Sequence, residues 1–128
     1  MAANTNPIFP VIPVAGATTL TTAVTEKDGS TATTLITAGE NGTRLEQAIV
    51  KPIGTNVATV IRFFITGTGL NTILTEQTIA ETTASEVAAL DEYVIPLNFT
   101  LPPTSVLKVA LGTTVAGGIQ VTAFGGNY

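Results

Sequence analysis

The chain has 128 residues, a formal net charge of −4 and 11% charged residues, with no histidine, cysteine or tryptophan. These absences exclude Ser-His-Asp and Cys-His catalytic sites, disulfide frameworks and thiolate metal sites, and five Lys and Arg residues make no basic stripe for nucleic acid. What is over-supplied is threonine, at 25 residues, whose β-branched side chain is stiff at χ1 and fits a pleated surface. One β-rich domain follows, large enough to bury roughly two-thirds of its unfolded surface.

In chain order, Asn6 to Gly16 (NPIFPVIPVAG) is apolar but carries Pro7, Pro10 and Pro13. That pattern is incompatible with a helix and poor for a central strand, so residues 1–16 are expected to form an extended arm and residues 17–128 a β-sandwich. Ile8, Phe9, Val11, Ile12 and Val14 need an apolar surface to lie on, either on their own domain or on a neighbouring subunit. They are the first candidate partner-binding residues. The same prolines leave no unbroken apolar segment for a standard secretion signal.

From Ala17 the chain is a succession of short β-compatible runs separated by turn signals, as in a sandwich or barrel. Thr18–Val24 leads to Asp28-Gly29, and Thr31–Ala38 leads to Asn41-Gly42, the strongest tight-turn dipeptide present. Arg44–Lys51 ends at Pro52. Val57–Thr66 is apolar on both faces, which places it centrally, and Arg62 keeps this region far short of the ~20 apolar residues of a membrane span. Thr72–Ile79, Val94–Leu101, Val106–Leu111 and Ile119–Phe124 complete eight strands. Gly67-Thr68-Gly69 and Gly117-Gly118 lack the lysine and helix of a phosphate loop and are expected to be hairpin turns. Ala80–Leu90 is the one candidate helix, with Thr82 or Thr83 as N-cap, although a single turn or a loop across the sandwich end fits a segment so short.

Acid–base chemistry is sparse. Asp91 and Glu92 would point to opposite faces of a strand, and these residues and the pair Glu81/Glu86 are expected to be solvated carboxylates. Glu26, Asp28 and Ser30 alternate across a turn but lack the terminal bidentate acid of a calcium loop. No catalytic residue, metal site or cofactor is expected. At the other end of the chain, Phe124-Gly-Gly-Asn-Tyr128 offers Tyr128 as a further partner-binding candidate, while Phe124 is expected to finish the last core strand.

Five segments in order, NPIFPVIP (6–13), Lys27-Asp28-Gly29, ITAGENGTRLEQAIVKPIGT (36–55), TVIRFFI (59–65) and VTAFGGNY (121–128), resemble a group of small virion-associated proteins of tailed bacteriophages. The nearest described role in that group is a head decoration, or cement, protein. Ile53–Asn56 and Ala80–Leu90 depart from the pattern. The resemblance implies a jelly-roll-like sandwich on the outer surface of the capsid, bound to the major capsid protein and to itself as a homo-oligomer, with no reaction; the composition and hydropathy already argue against a membrane or nucleic-acid partner. A glycan- or host-receptor-binding module on a tail or head fibre is the alternative. Against it, sugar-stacking platforms use exposed aromatics, and the chain has only Tyr93 and Tyr128 besides its phenylalanines.

Overall fold

Alternation of period two builds eight strands: β1 (Ile12–Leu20), β2 (Thr33–Thr37), β3 (Thr43–Pro52), β4 (Thr59–Gly67), β5 (Leu70–Ile79), β6 (Tyr93–Leu101), β7 (Val106–Leu111) and β8 (Ile119–Asn127). The computed structural model describes residues 9–67 and 69–128, and every regular element among them is a strand. Two antiparallel four-stranded sheets result, sheet I in the order β1-β8-β3-β6 and sheet II in the order β2-β7-β4-β5. The pairs β1–β8, β3–β6, β2–β7 and β4–β5 nest one inside another along the chain, which is the connectivity of a jelly roll. The expected all-β sandwich is therefore present, and β4 is an interior strand as its apolar faces required.

The core lies between the sheets. Leu45, Val50, Ile61, Phe63, Leu107, Val109, Leu111, Ile119 and Val121 are fully buried and come from two strands of each sheet. Each such side chain contributes about 1.5–3 kcal/mol over its exposed state. Sheets I and II meet most closely at one side, where β1 crosses β2: a Cβ on Gly16 would fall 2.0 Å from the Leu35 carbonyl oxygen. Only glycine permits that approach.

Four expectations change. Residues 12–16 belong to the sheet, since β1 pairs with β8 from Ile12↔Asn127 onward; Pro13 is accommodated because β1 is an edge strand with no second neighbour requiring its N–H. Residues 80–92 contain no helix. Their polar groups are taken up by the 54–56 loop instead: Thr82 and Asn56 exchange backbone hydrogen bonds of 2.9 and 3.1 Å, the Thr82 hydroxyl donates to the Gly54 carbonyl, and the Ala84 N–H donates to the Thr55 hydroxyl. Gly67 and Gly69 do close the β4–β5 hairpin, but Gly117-Gly118 joins strands of different sheets, and there Asn56 holds both glycines, accepting from the Gly117 N–H and donating to the Gly118 carbonyl. Phe124 does not finish the core, because Ile119, Val121 and Ala123 occupy the inward phase of β8 and leave Gln120, Thr122 and Phe124 outward.

Candidate partner-binding surface

Sheet I turns its outer face to solvent, and register fixes what stands there. Across the four strands, Ala17, Thr122, Ile49 and Val94 form one row, and Ala15, Phe124, Gln47 and Pro96 form the next. Neither row holds a formal charge. Phe124 is 38% exposed and Val94 53% exposed, while Ile49 is half-buried between its neighbours. Charged groups stand at the ends of the face: Lys51 on one side, whose ammonium donates to the Leu90 carbonyl, and Arg44 with Glu46, 3.5 Å apart, on the other. The result is an uncharged, partly apolar surface bounded by charged ends.

The candidate arm runs directly into this face. The Val11 N–H donates to the Asn127 carbonyl at 2.8 Å, so the chain already follows the edge of sheet I before β1 begins. Pro10 then folds over β8, where a Cβ on Gly126 would come within 2.6 Å of its ring. Phe9 and Val11 are each 74% exposed and Ile12 is 58% exposed. With Pro10, Pro13 and Glu46 they line a shallow depression of about 380 Å³ over Gly125 and Gly126, two residues along β8 from Phe124.

Of the six candidates drawn from the sequence, Phe9 and Val11 are brought together on this surface, while Ile12 lines the rim of the depression in the same strand phase as Val14. Ile8 lies outside the described residues. Val14 turns inward in register with Gly125 and packs half-buried against the core, so it anchors β1 rather than presenting a contact. Tyr128 reaches toward the opposite edge of the sheet, its N–H donating to the Gly42 carbonyl and its hydroxyl 3.3 Å from that of Thr100 on β6. The contribution of Ala15, Ala17, Ile49, Val94 and Phe124 was missed. The signal was the alternation of Ile119, Val121 and Ala123, which forces Phe124 outward.

Sheet II is different on its outer side. Phe64, fully buried, is covered there by Val24, Ala32 and Ala110, because residues 21–32 cross the sheet instead of forming a hairpin. The Val24 N–H donates to the Leu111 carbonyl at 2.9 Å, and Gly29, at φ 79°, lies so close that a Cβ would be 2.8 Å from that of Phe64. The acidic turn in this segment is closed by its own groups. Thr31 donates its hydroxyl to Glu26, and the Asp28 carboxylate accepts the Ser30 N–H at 2.9 Å, which lowers its pKa from the usual 3.8. Among the described residues no three Asp or Glu side chains converge as a cation site. A second depression, of about 490 Å³, lies at the sandwich end between Thr55–Val57 and Glu81–Thr83, with Glu81 as its one carboxylate.

No protein-family model matches the chain, and no curated protein matches it. Among solved structures, a chain in the structure of infectious bursal disease virus Gx strain aligns with 12% identity and a TM-score of 0.34. The alignment covers 100% of this chain and 37% of the other, so this chain spans little more than a third of that one's length. A likeness of that size carries no assignment, and the jelly-roll description rests on the strand pairing alone.

Proposed function

We propose that the protein is a virion structural protein, a decoration or cement protein that lays the outer face of sheet I and the Phe9–Ile12 segment on the outside of a tailed-phage head. The observation that carries this reading is the uncharged pair of rows on sheet I, left open by the described residues and adjoining exposed Phe9 and Val11. A surface of that kind docks by excluding water from apolar area at about 25 cal/mol per Å², without stripping solvent from charges. Binding to the assembled shell and not to its free subunits stabilises the shell by mass action, multiplied over many copies. Further support comes from the resemblance of five segments to virion-associated proteins, and from the use of jelly rolls in capsid domains, an argument by analogy.

The test is co-sedimentation with heads lacking this protein. Wild-type chain should pellet with them and raise their resistance to heat, and the double variant Ala17→Glu/Phe124→Glu should do neither while keeping its circular dichroism. A wild-type protein that leaves heads untouched and instead binds a defined polysaccharide would replace this reading with the receptor-binding one.

A further inference from the structure

Four strand edges bound the two sheets, and three of them are blunted. β1 carries Pro13 and crosses β2 at Gly16; β2 has five residues with a register shift between Thr34 and Ile36; β6 carries Pro96 and a left-handed Asn98 at φ 50°. These are the usual protections against pairing with another chain. β5 is ten residues long, lacks proline and lysine, and exposes Leu70, Ile73 and Leu74 at 36–37%. Its single charge, Glu76, is held by Arg62 Nε of β4 at 2.7 Å.

The backbone of β5 specifies what would fit. Leu70 closes the hairpin opposite Gly67, so Leu70 and Thr72 turn their N–H and C=O toward β4, while Asn71 and Ile73 turn theirs away. The register shift at Leu74 resets this phase: Thr75 and Gln77 then face β4, and Glu76 and Thr78 face away. Two side-chain bonds agree with that assignment, the Thr72 hydroxyl donating to the Ile73 carbonyl at 3.5 Å and the Gln77 amide to the Thr78 carbonyl at 3.0 Å. The outward groups are thus 71, 73, 76 and 78, a set symmetric about the midpoint between Leu74 and Thr75. An unbulged strand could not pair with itself about such a point, because every outward residue would meet an inward one.

We propose that β5 is a homotypic interface, pairing antiparallel with β5 of a second copy about a two-fold axis through that midpoint. Asn71 then faces Thr78 of the second copy and Ile73 faces Glu76 of the second copy, exchanging main-chain hydrogen bonds. Between these two pairs Thr72 meets Gln77 of the second copy, beyond them Leu70 stands level with Ile79 of the second copy, and no like charges are opposed. Sheet II becomes one continuous sheet of both copies. A two-fold axis normal to it leaves both outer faces of sheet I on the same side of the dimer, free for a common target.

The inference needs no phage head to test. Light scattering of the full chain at about 100 μM, enough to fill an interface of micromolar affinity, should give twice the 13.1 kDa monomer mass. Ile73→Lys should raise the dissociation constant at least about tenfold with unchanged circular dichroism. Since the chain has no cysteine, the double variant T72C/Q77C reads the register directly: within one strand these positions are roughly 16 Å apart, beyond disulfide reach, so any bond joins two copies. Mild oxidation should convert it to a reducible covalent dimer and leave T72C and Q77C alone as monomers in denaturant. A monomeric wild type at that concentration would overturn the proposal. So would equal cross-linking of the single-cysteine variants, or an oligomer whose mass Ile73→Lys does not change; the last would point to a different surface or partner.

Discussion

Phe64 and Phe124 stand on the outer faces of opposite sheets and meet opposite fates. Phe64 is sealed under residues 21–32, with Gly29 pressed against its Cβ, and nothing of it is exposed. Phe124 sits among Ala15, Ala17, Thr122 and Gln47 and is 38% exposed, with no segment of the described residues crossing above it. A jelly roll has two outer faces to dispose of, and this one spends a twelve-residue crossing on sheet II while, among the described residues, sheet I is covered at its edge by Phe9–Val11. The covered phenylalanine is part of the fold's stability; the open one is available to something else.

That contrast can be broken in steps. Phe64→Ala should cost about 3–5 kcal/mol in urea unfolding, as for a buried aromatic whose cavity cannot collapse. Gly29→Ala should cost about 1–3 kcal/mol, since its φ lies in the left-handed region and the added Cβ meets Phe64 at 2.8 Å. Phe124→Ala should change stability by under about 1 kcal/mol, while weakening head binding; a loss as large as that of Phe64→Ala would show that Phe124 belongs to the core after all. The smallest effect concerns the acidic turn of the covering segment. Asp28 has a depressed native pKa, so its contribution is fully present above the ordinary value of 3.8 and is lost as pH falls through the native one. An acid titration of stability should therefore be slightly flatter below that pH in Asp28→Asn, with little difference at neutrality.

Much of the strand content was legible because several strands carry their own alternation: Leu107, Val109 and Leu111 opposite Lys108, or Leu97, Phe99 and Leu101 opposite Asn98 and Thr100; the first run, read as Thr18–Val24, is instead Ile12–Leu20. Turn positions were legible for the same local reason, and Gly29, Gly42, Gly69 and Gly118 all adopt positive φ. Partners were not. Nothing near Ile12 announces Asn127, and Asp28-Gly29 reads as a hairpin although the strands it separates lie in different sheets. The 80–90 segment has helical composition, but a helix needs its own N–H groups, and those of Thr82 and Ala84 are engaged by Asn56 and Thr55. For the surface, the arm residues stood out by hydrophobicity alone. The sheet I rows did not, because Ala15, Ile49 and Phe124 become neighbours only once β1, β3 and β8 are side by side.

The nested pairing also orders events in time. Of the pairs β4–β5, β3–β6, β2–β7 and β1–β8, the β4–β5 hairpin alone joins consecutive strands, and each later pair encloses the one before. β8 lies between β1 and β3, so the four-stranded sheet I cannot close until β8 has left the ribosome. A chain synthesised only as far as β7 therefore lacks the assembled outer face of sheet I. The outer face of sheet I thus forms only once every strand from β1 to β8 is in place.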